Sequence, residues 1–443
     1  VKSDRITQRL YVLGTLTTTS PLIIGSGEDD FADIQMMRGW DGLPFIPGSA
    51  LAGATRHFLS ELLPSQQSVI DLLYGAKADL ADAEKDTTQS LITFYDLFPI
   101  GDVNLSSRDG VRLDYETKTA IDQAKYDYEI VERGQQFIFK LEVVFRANHE
   151  KQQAQMRDVV TTLCSAIMGQ HVTLGAKTRR GFGEVCLQEA AMLTLNMPDD
   201  AQTWIDFEWR QDYFAAHHAA MIVPQAISNP RHTDISVTFD IPYSILIRHE
   251  NGNPSAPDVS HLTSQGIAII PGTSWGGALR HAVHTILHDM GQGAKSEAII
   301  TEIFGEVDQQ VRKNKQTTPK ARASRITIRE ALIEGGQSLS YTRNKVDRFT
   351  GGVVDTALFD EQPHYGGKVT LSISIKHAQE WEKGVLLLAL KDLGNGIQPV
   401  GGGANIGRGI LQNAAITLEN AAVTPENESA CLQALARKLK EAL

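Results

Sequence analysis

Two helix starts in this sequence combine residue types that suit a phosphate. In "FIPGSALAGATRHFL", residues 45 to 59, Pro47 fixes φ and Gly48 permits a tight turn, while Ser49 stands where an N-cap hydroxyl would accept from the free N–H groups of the first turn. Such a start offers unpaired donors and partial positive charge to an anion. Gly53 removes a side chain from the next turn, and Arg56 adds a fixed charge suited to phosphate oxygens. The pattern returns as "IIPGTSWGGALRHAVHTIL" from Ile269, with Pro271, Gly272, Thr273, Gly277 and Arg280 standing 224 residues beyond their counterparts. Ser49, Arg56, Thr273, Ser274 and Arg280 are the candidate phosphate contacts. Plain helix capping would use the same residues, so both readings stay open here.

A second element is a glycine loop, again present twice. "LGAKTRRGFGEV" from Leu174 carries Lys177, Arg179 and Arg180, and "VGGGANIGRGIL" from Val400 carries Asn405 and Arg408. Glycines let main-chain N–H groups face a phosphodiester closely, in the manner of an anion nest. No GK[ST] follows either loop, and each precedes a strand, so neither a Walker A nor a dinucleotide-binding reading fits. A glycine bend with no ligand is the bland alternative.

The elements that must position these residues repeat in order. "LYG" ending at Gly75 pairs with "IFG" ending at Gly305, and Asp114 with Asp347. Strand-like alternation of Phe137, Phe139, Leu141, Val143 and Phe145 pairs with that of Val369, Leu371, Ile373 and Ile375. Leu51, Thr55, Leu59 and Leu62 mark one helix face, and Trp275, Leu279, Val283 and Ile286 mark its counterpart. Each copy reads as strand, helix, strands, helix, strand, which predicts an α+β chain of two tandem ferredoxin-like (RRM-like, split βαβ) domains. The expected organisation is a first domain over 1–197, a connector over 198–233 with a short helix, a second domain over 234–420 and a C-terminal helix over 421–443, with Thr424 as its N-cap. The fold alone decides no function.

The bulk properties remove several classes. With 443 residues, 42% hydrophobic and 21% charged, the chain is an ordinary globular protein. There is no run of apolar residues long enough to span a bilayer, and "VKSDRITQRL" lacks a signal-peptide core, so a cytoplasmic protein without a membrane is expected. Cys164, Cys186 and Cys431 lie too far apart in sequence for a CxxC zinc motif, and three cysteines make no even-numbered disulfide framework. A net charge of -11 argues against a general nucleic-acid coater but leaves room for local basic grooves, including the lysine- and arginine-rich run 312–329.

The combination of "IPGSALAGATR", "LGAKTRRGFGEV" and "VDRFTGGVVDTALFDEQPHYGG" resembles the RAMP superfamily of CRISPR-associated proteins. More narrowly it is similar to backbone subunits of type III (Csm/Cmr-like) effector complexes, and the fusion of two copies suggests a fused-subunit variant such as type III-D. The resemblance implies that each domain binds guide CRISPR RNA and inserts a β-hairpin thumb between bases, among other CRISPR effector subunits. In the second copy the thumb would run from Asp347 to about Gly367, with Arg348, Phe349, Leu358, Phe359 and Tyr365 at its disposal. The first copy keeps Asp114 and Glu129 around a similar insertion but lacks Arg-Phe-Thr-Gly-Gly.

The same resemblance implies a loop aspartate ahead of each Pro-Gly turn that cuts target RNA paired to the guide. Asp33 stands 14 residues before Pro47, and Asp258 stands 13 before Pro271. A carboxylate could take the proton of an attacking 2′-OH or hold a divalent ion, here expected to be Mg²⁺, with phosphate oxygens and water completing its shell. Glu28, Asp29 and Asp30 crowd the first loop as an acidic solvated stretch. Two alternatives remain: a non-catalytic guide-RNA-binding subunit, and a guide-RNA processing endoribonuclease in which His57 and His281 would serve as acid or base.

Overall fold

The computed structural model describes residues 4–25, 34–75, 89–113, 120–228, 231–250, 256–307 and 321–440. Asp33 and its acidic neighbours, Asp114 and residues 312–320 of the basic run lie outside the described residues. The chain divides into two compact units, one of residues 1–110, 125–178 and 182–229, the other of 111–124, 179–181 and 230–443.

The first unit is built on β1 (Ile6–Thr18), β2 (Ile92–Phe94), the pair β3 (Leu105–Leu113) and β4 (Ala120–Val131) except residues 111–113 and 120–124, which group with the other unit, β5 (Gln136–Arg146), β6 (Val185–Asn196) and β7 (Ala220–Met221). Its helices are α1 (Gly48–Leu62), α2 (Gln67–Tyr74) and α3 (Gln153–Met168). The sheet order is β2-β5-β1-β6-β7, with β5 and β6 both antiparallel to β1. Strand period two places Leu10 opposite Val143, Val12 opposite Leu141 and Leu16 opposite Phe137, all fully buried. Each such side chain contributes about 1.5–3 kcal/mol of burial. Leu51, Thr55 and Leu59 of α1 close the core, as the helix periodicity predicts.

The other face of this sheet is not open. Two short helices of the connector, α4 (Ala201–Ile205) and α5 (Gln211–Ala216), flank Phe207 and Trp209, which pack on Tyr11 at ring distances of 4.0 and 5.4 Å. Phe214 joins Leu13, Leu193 and Leu195 in the same cluster. The connector therefore holds two helices where one is expected, because the outward residues of β1 and β6 are apolar and demand a cover.

The second unit repeats the plan. Its main strands include β8 (His232–Asp240), β9 (Val259–His261), β10 (Ile267–Ile270), β11 (Ala331–Glu334), β12 (Tyr341–Val346), β13 (Val353–Gln362), β14 (Lys368–Lys376) and β15 (Gln412–Leu418). Helices α6 (Gly272–Asp289), α7 (Gly293–Phe304) and α8 (Glu380–Gly394) complete it. Strands β11, β14, β8 and β15 lie side by side in that order, the same split βαβ arrangement. Val369, Leu371, Ile373 and Ile375 face inward, while Thr238 and Thr370 on the outer face share a 2.9 Å hydroxyl contact. The C-terminal α9 (Pro425–Lys440) packs Cys431, Leu435 and Leu439 inward, and Thr424 Oγ1 accepts from Asn427 N at 3.2 Å. Among the described residues no helix is long and apolar enough to cross a membrane.

Candidate nucleic-acid interface

Among the described residues neither sheet offers the exposed aromatic platform on which RRM domains stack bases. The first is covered by the connector, and the outer face of β8 and β14 carries Ser236, Thr238, Thr370 and Ser372. The candidate contacts thus sit on helix starts, loops and hairpins.

At both helix starts the capping expectation is corrected. Pro47 and Pro271 occupy the N-cap positions in extended conformation with no side-chain cap, and Ser49, Thr273 and Ser274 lie inside the first turn. Asp96 supplies the missing acceptor in the first copy, taking the Gly48 N–H at 2.8 Å. Gly48 is required by close packing, because a Cβ there would stand 2.3 Å from the Phe94 carbonyl oxygen; at Gly272 the Ile328 carbonyl oxygen would be 2.2 Å away. Gly53 and Gly277 differ. Both are exposed, and a Cβ on either would meet nothing within 4 Å. No neighbouring backbone explains them, and in an exposed helix each costs about 1 kcal/mol relative to alanine.

The two arginines have diverged. Arg56 donates to Asp71 Oδ1 at 2.8 Å and to the Gly75 carbonyl at 2.9 Å, tying α1 to the end of α2. Thr301 stands four residues before Gly305, as Asp71 does before Gly75, and Arg280 is exposed with no hydrogen bond or ion pair among the described residues. Of the following histidines, His57 is exposed 3.4 Å from Glu61 Oε1, and His281 is half-buried.

In the glycine loops several main-chain N–H groups are used by the fold. Leu174 N donates to Gly183 O, Ala176 N to Ile23 O and Gly183 N to Pro21 O; in the second loop Val400 N donates to Gly409 O, Gly402 N to Leu246 O and Gly409 N to Ser244 O. Those N–H groups are spent within the protein. Lys177 turns inward, its ammonium 3.1 Å from the Tyr128 ring centre and 4.5 Å from that of Tyr126. Arg408 is buried and donates to Glu361 Oε2 at 2.8 Å, a carboxylate that Arg343 Nε also approaches at 3.3 Å. Arg179 is half-buried, whereas Arg180 and Asn405 are exposed. The arginine of the second loop is thus a latch to the hairpin base, a role its spacing does not reveal.

The thumb of the second copy is a hairpin of β12 and β13, so it begins at Tyr341, and Asp347 opens its tip instead of its stem. Asp347 Oδ1 accepts from Phe349 N at 2.9 Å, Thr350 N at 2.8 Å and Thr350 Oγ1 at 3.0 Å. These donors, the Thr350 amide foremost, hold its carboxyl below the usual range. The fastened turn presents Arg348 and leaves Phe349 98% exposed. In the first copy β3 and β4 form the corresponding pair.

The hairpin stems also pair with the residue that follows each candidate aspartate in sequence. Val259, which follows Asp258, pairs in parallel with Glu361 of β13, and Ile34, which follows Asp33, forms a parallel bridge with Tyr128 of β4. Asp258 is exposed, and its Oδ2 accepts from Asp360 N at 2.9 Å. Sequence reading missed Asp360, although "YDY" at 126–128 and "FDE" at 359–361 place an aspartate one residue before each bridging position. It also missed Asp96 and Arg343. Around the first loop, Glu129 Oε2 accepts from Met36 N at 3.0 Å, and Glu129 pairs with Arg38 at 2.5 Å. Among the described residues no group of three or more His, Cys, Asp or Glu could hold a metal ion.

No curated protein matches the chain. The model of one family, the RAMP superfamily, matches residues 15–186 and 256–412, which is most of both structural repeats. In each copy the matched residues include the Pro-Gly helix start, the hairpin insertion and the late glycine loop, and the chain belongs to the RAMP superfamily.

Proposed function

We propose that this protein is a fused two-domain backbone subunit of a CRISPR type III effector that holds guide RNA and cuts the paired target RNA once per domain, at Asp33 and Asp258. RAMP membership supports the coarser part, a CRISPR-associated RNA-binding subunit. The observation that carries the finer part is the matched pair of parallel bridges: in both copies the residue after the candidate aspartate joins the second strand of the hairpin. A base splayed by the Phe349 tip and a carboxylate at the hairpin root then belong to one rigid element.

Phe349 and Arg348 would stack on and pair with the RNA at the tip, and Arg280, Asn405, Arg180 and Ser49 offer exposed polar contacts to phosphates. For cleavage, the 2′-oxygen attacks the adjacent phosphorus as its proton passes to the carboxylate, the bond to the 5′-oxygen breaks, and the leaving 5′-oxygen takes a proton from water, giving a 2′,3′-cyclic phosphate and a 5′-hydroxyl. Asp258 suits this role through exposure and through the Asp360 amide, which orients one carboxylate oxygen and leaves the other to the substrate. A magnesium ion would add charge stabilisation on the phosphate oxygens, with Asp258 as one ligand and water and RNA oxygens supplying the others.

The test is alanine substitution of Asp33 and Asp258, one at a time, in the assembled complex with an end-labelled target. Each substitution should abolish one cut and leave the guide bound. Unchanged cutting at every position would reduce the protein to an RNA-holding subunit.

A further inference from the structure

An apolar surface of the first unit takes no part in the proposed RNA contacts. Arg38 bridges Pro44, Gly39 N donates to Leu43 O at 2.8 Å and Leu43 N donates to Asp41 Oδ1 at 3.0 Å, so residues 38–44 form a pinned turn. Trp40 at its tip is 98% exposed. The same β surface continues through the Ile46–Leu97 bridge, where Phe45 stacks on Phe98 with ring centres 5.9 Å apart. Leu43, Phe98 and Ile100 are exposed as well. Folding gains nothing from a fully solvated tryptophan, and large apolar side chains left exposed on one turn and the strand bridge that follows it mark interaction sites.

The second copy shows that the fold does not need the patch. Its corresponding turn is the tight Gln265-Gly266 pair at positive φ, between Thr263–Ser264 and β10, and it carries no aromatic residue. Charge selects the kind of occupant. Asp41, Asp96, which also accepts the Gly48 N–H, and Asp102 are exposed within two residues in sequence of patch residues, and Arg38, a basic residue of the same turn, is committed to Glu129 and the Gly42 carbonyl. A phosphodiester would meet carboxylates there, whereas a protein segment with an apolar side chain flanked by lysine or arginine would be matched on both counts.

We infer that the Trp40–Leu43–Phe98–Ile100 surface docks a different protein subunit through a basic-flanked apolar segment. The inference rests on the proposal that the chain works inside a multi-subunit complex, and its test separates the two. The Trp40→Glu and Phe98→Ala variants are each co-expressed with the neighbouring CRISPR genes, and subunit composition and bound RNA are measured separately. Because both side chains are exposed, the melting temperature should move little. One protein partner should fall about tenfold or more in recovery, as expected for losing an aromatic anchor, while RNA per molecule of this chain stays constant. Unaltered composition, or loss of RNA with all proteins retained, would overturn the inference. A change only in self-association of the purified chain would do the same, by making a second copy the occupant. Failure of the RNA-subunit proposal would appear instead as absence of RNA from the wild-type complex.

Discussion

The main-chain N–H of Asp360 donates to the Asp258 carboxylate at 2.9 Å, so the candidate loop aspartate is fastened to the second strand of the thumb hairpin. The contact is reinforced on the far side, where Thr342 Oγ1 donates to Asp360 Oδ1 at 2.6 Å. Loop, hairpin stem and tip are therefore one mechanical unit in the second copy.

That relationship separates charge from position. Asp258→Asn keeps an oxygen to accept from Asp360 and removes the negative charge. Guide binding and melting temperature should stay at wild-type values, while cleavage at one target position falls by about 100-fold or more, the usual scale for losing a general base. Quantifying each cut in a time course against intact complex checks it; a variant cutting at the wild-type rate would dismiss the carboxylate.

The helix starts give a prediction about stability. Ser49 lies within the first turn and makes no capping bond, whereas Asp96 receives the Gly48 N–H at 2.8 Å. Asp96→Ala should cost about 1 kcal/mol, the ordinary worth of a cap, and Ser49→Ala close to nothing. Urea midpoints of the two variants decide the order, and reversed values would restore the serine as the cap.

The arginines should also part company. Truncating Arg408 leaves Glu361 buried with Arg343 alone, a loss of about 3 kcal/mol on the scale of broken buried pairs. Arg280 is exposed on its helix, so Arg280→Ala should leave stability unchanged and weaken RNA binding uniformly across sequences, with the salt slope reduced by about one. Affinity titrations at several salt concentrations, beside thermal melts, distinguish a phosphate contact from a latch.

Much of this architecture is legible in the sequence, for a physical reason. Period-two alternation at Phe137–Phe145 and Val369–Ile375, and helical periodicity at Leu51–Leu59, are local consequences of burial on one face. The Pro-Gly starts and glycine loops are landmarks because close backbone approach admits no Cβ at Gly48, Gly183 or Gly409. What escapes is any role settled by a distant partner. Asp96 caps a helix 48 residues away, Glu361 buries the loop arginine Arg408, and Tyr126 with Tyr128 turns Lys177 inward. The hairpin's start at Tyr341 is hidden for another reason: both its faces are largely solvated, so alternation leaves no signal.

A buried histidine behind the candidate loop supplies the last prediction, a pH dependence. His261 is almost fully buried, with Nε2 3.0 Å from the Ile269 carbonyl and Nδ1 3.1 Å from the Ile245 carbonyl and 3.2 Å from Ile247 N, so both ring nitrogens have partners. Burial, and then the His364 ring 5.7 Å away, pushes its pKa down to about 4. An unfolded histidine takes up a proton near pH 6.5 that the folded one refuses, so this group's stabilisation is intact above that value. It is lost as pH falls from about 6.5 toward 4, by up to about 3 kcal/mol, with no further loss below. Urea unfolding of wild type at about pH 7.5 and pH 5 should show a marked drop, and His261→Gln, which keeps a donor for Ile269, should flatten it. Parallel pH profiles for the two proteins would assign the acid sensitivity to other groups.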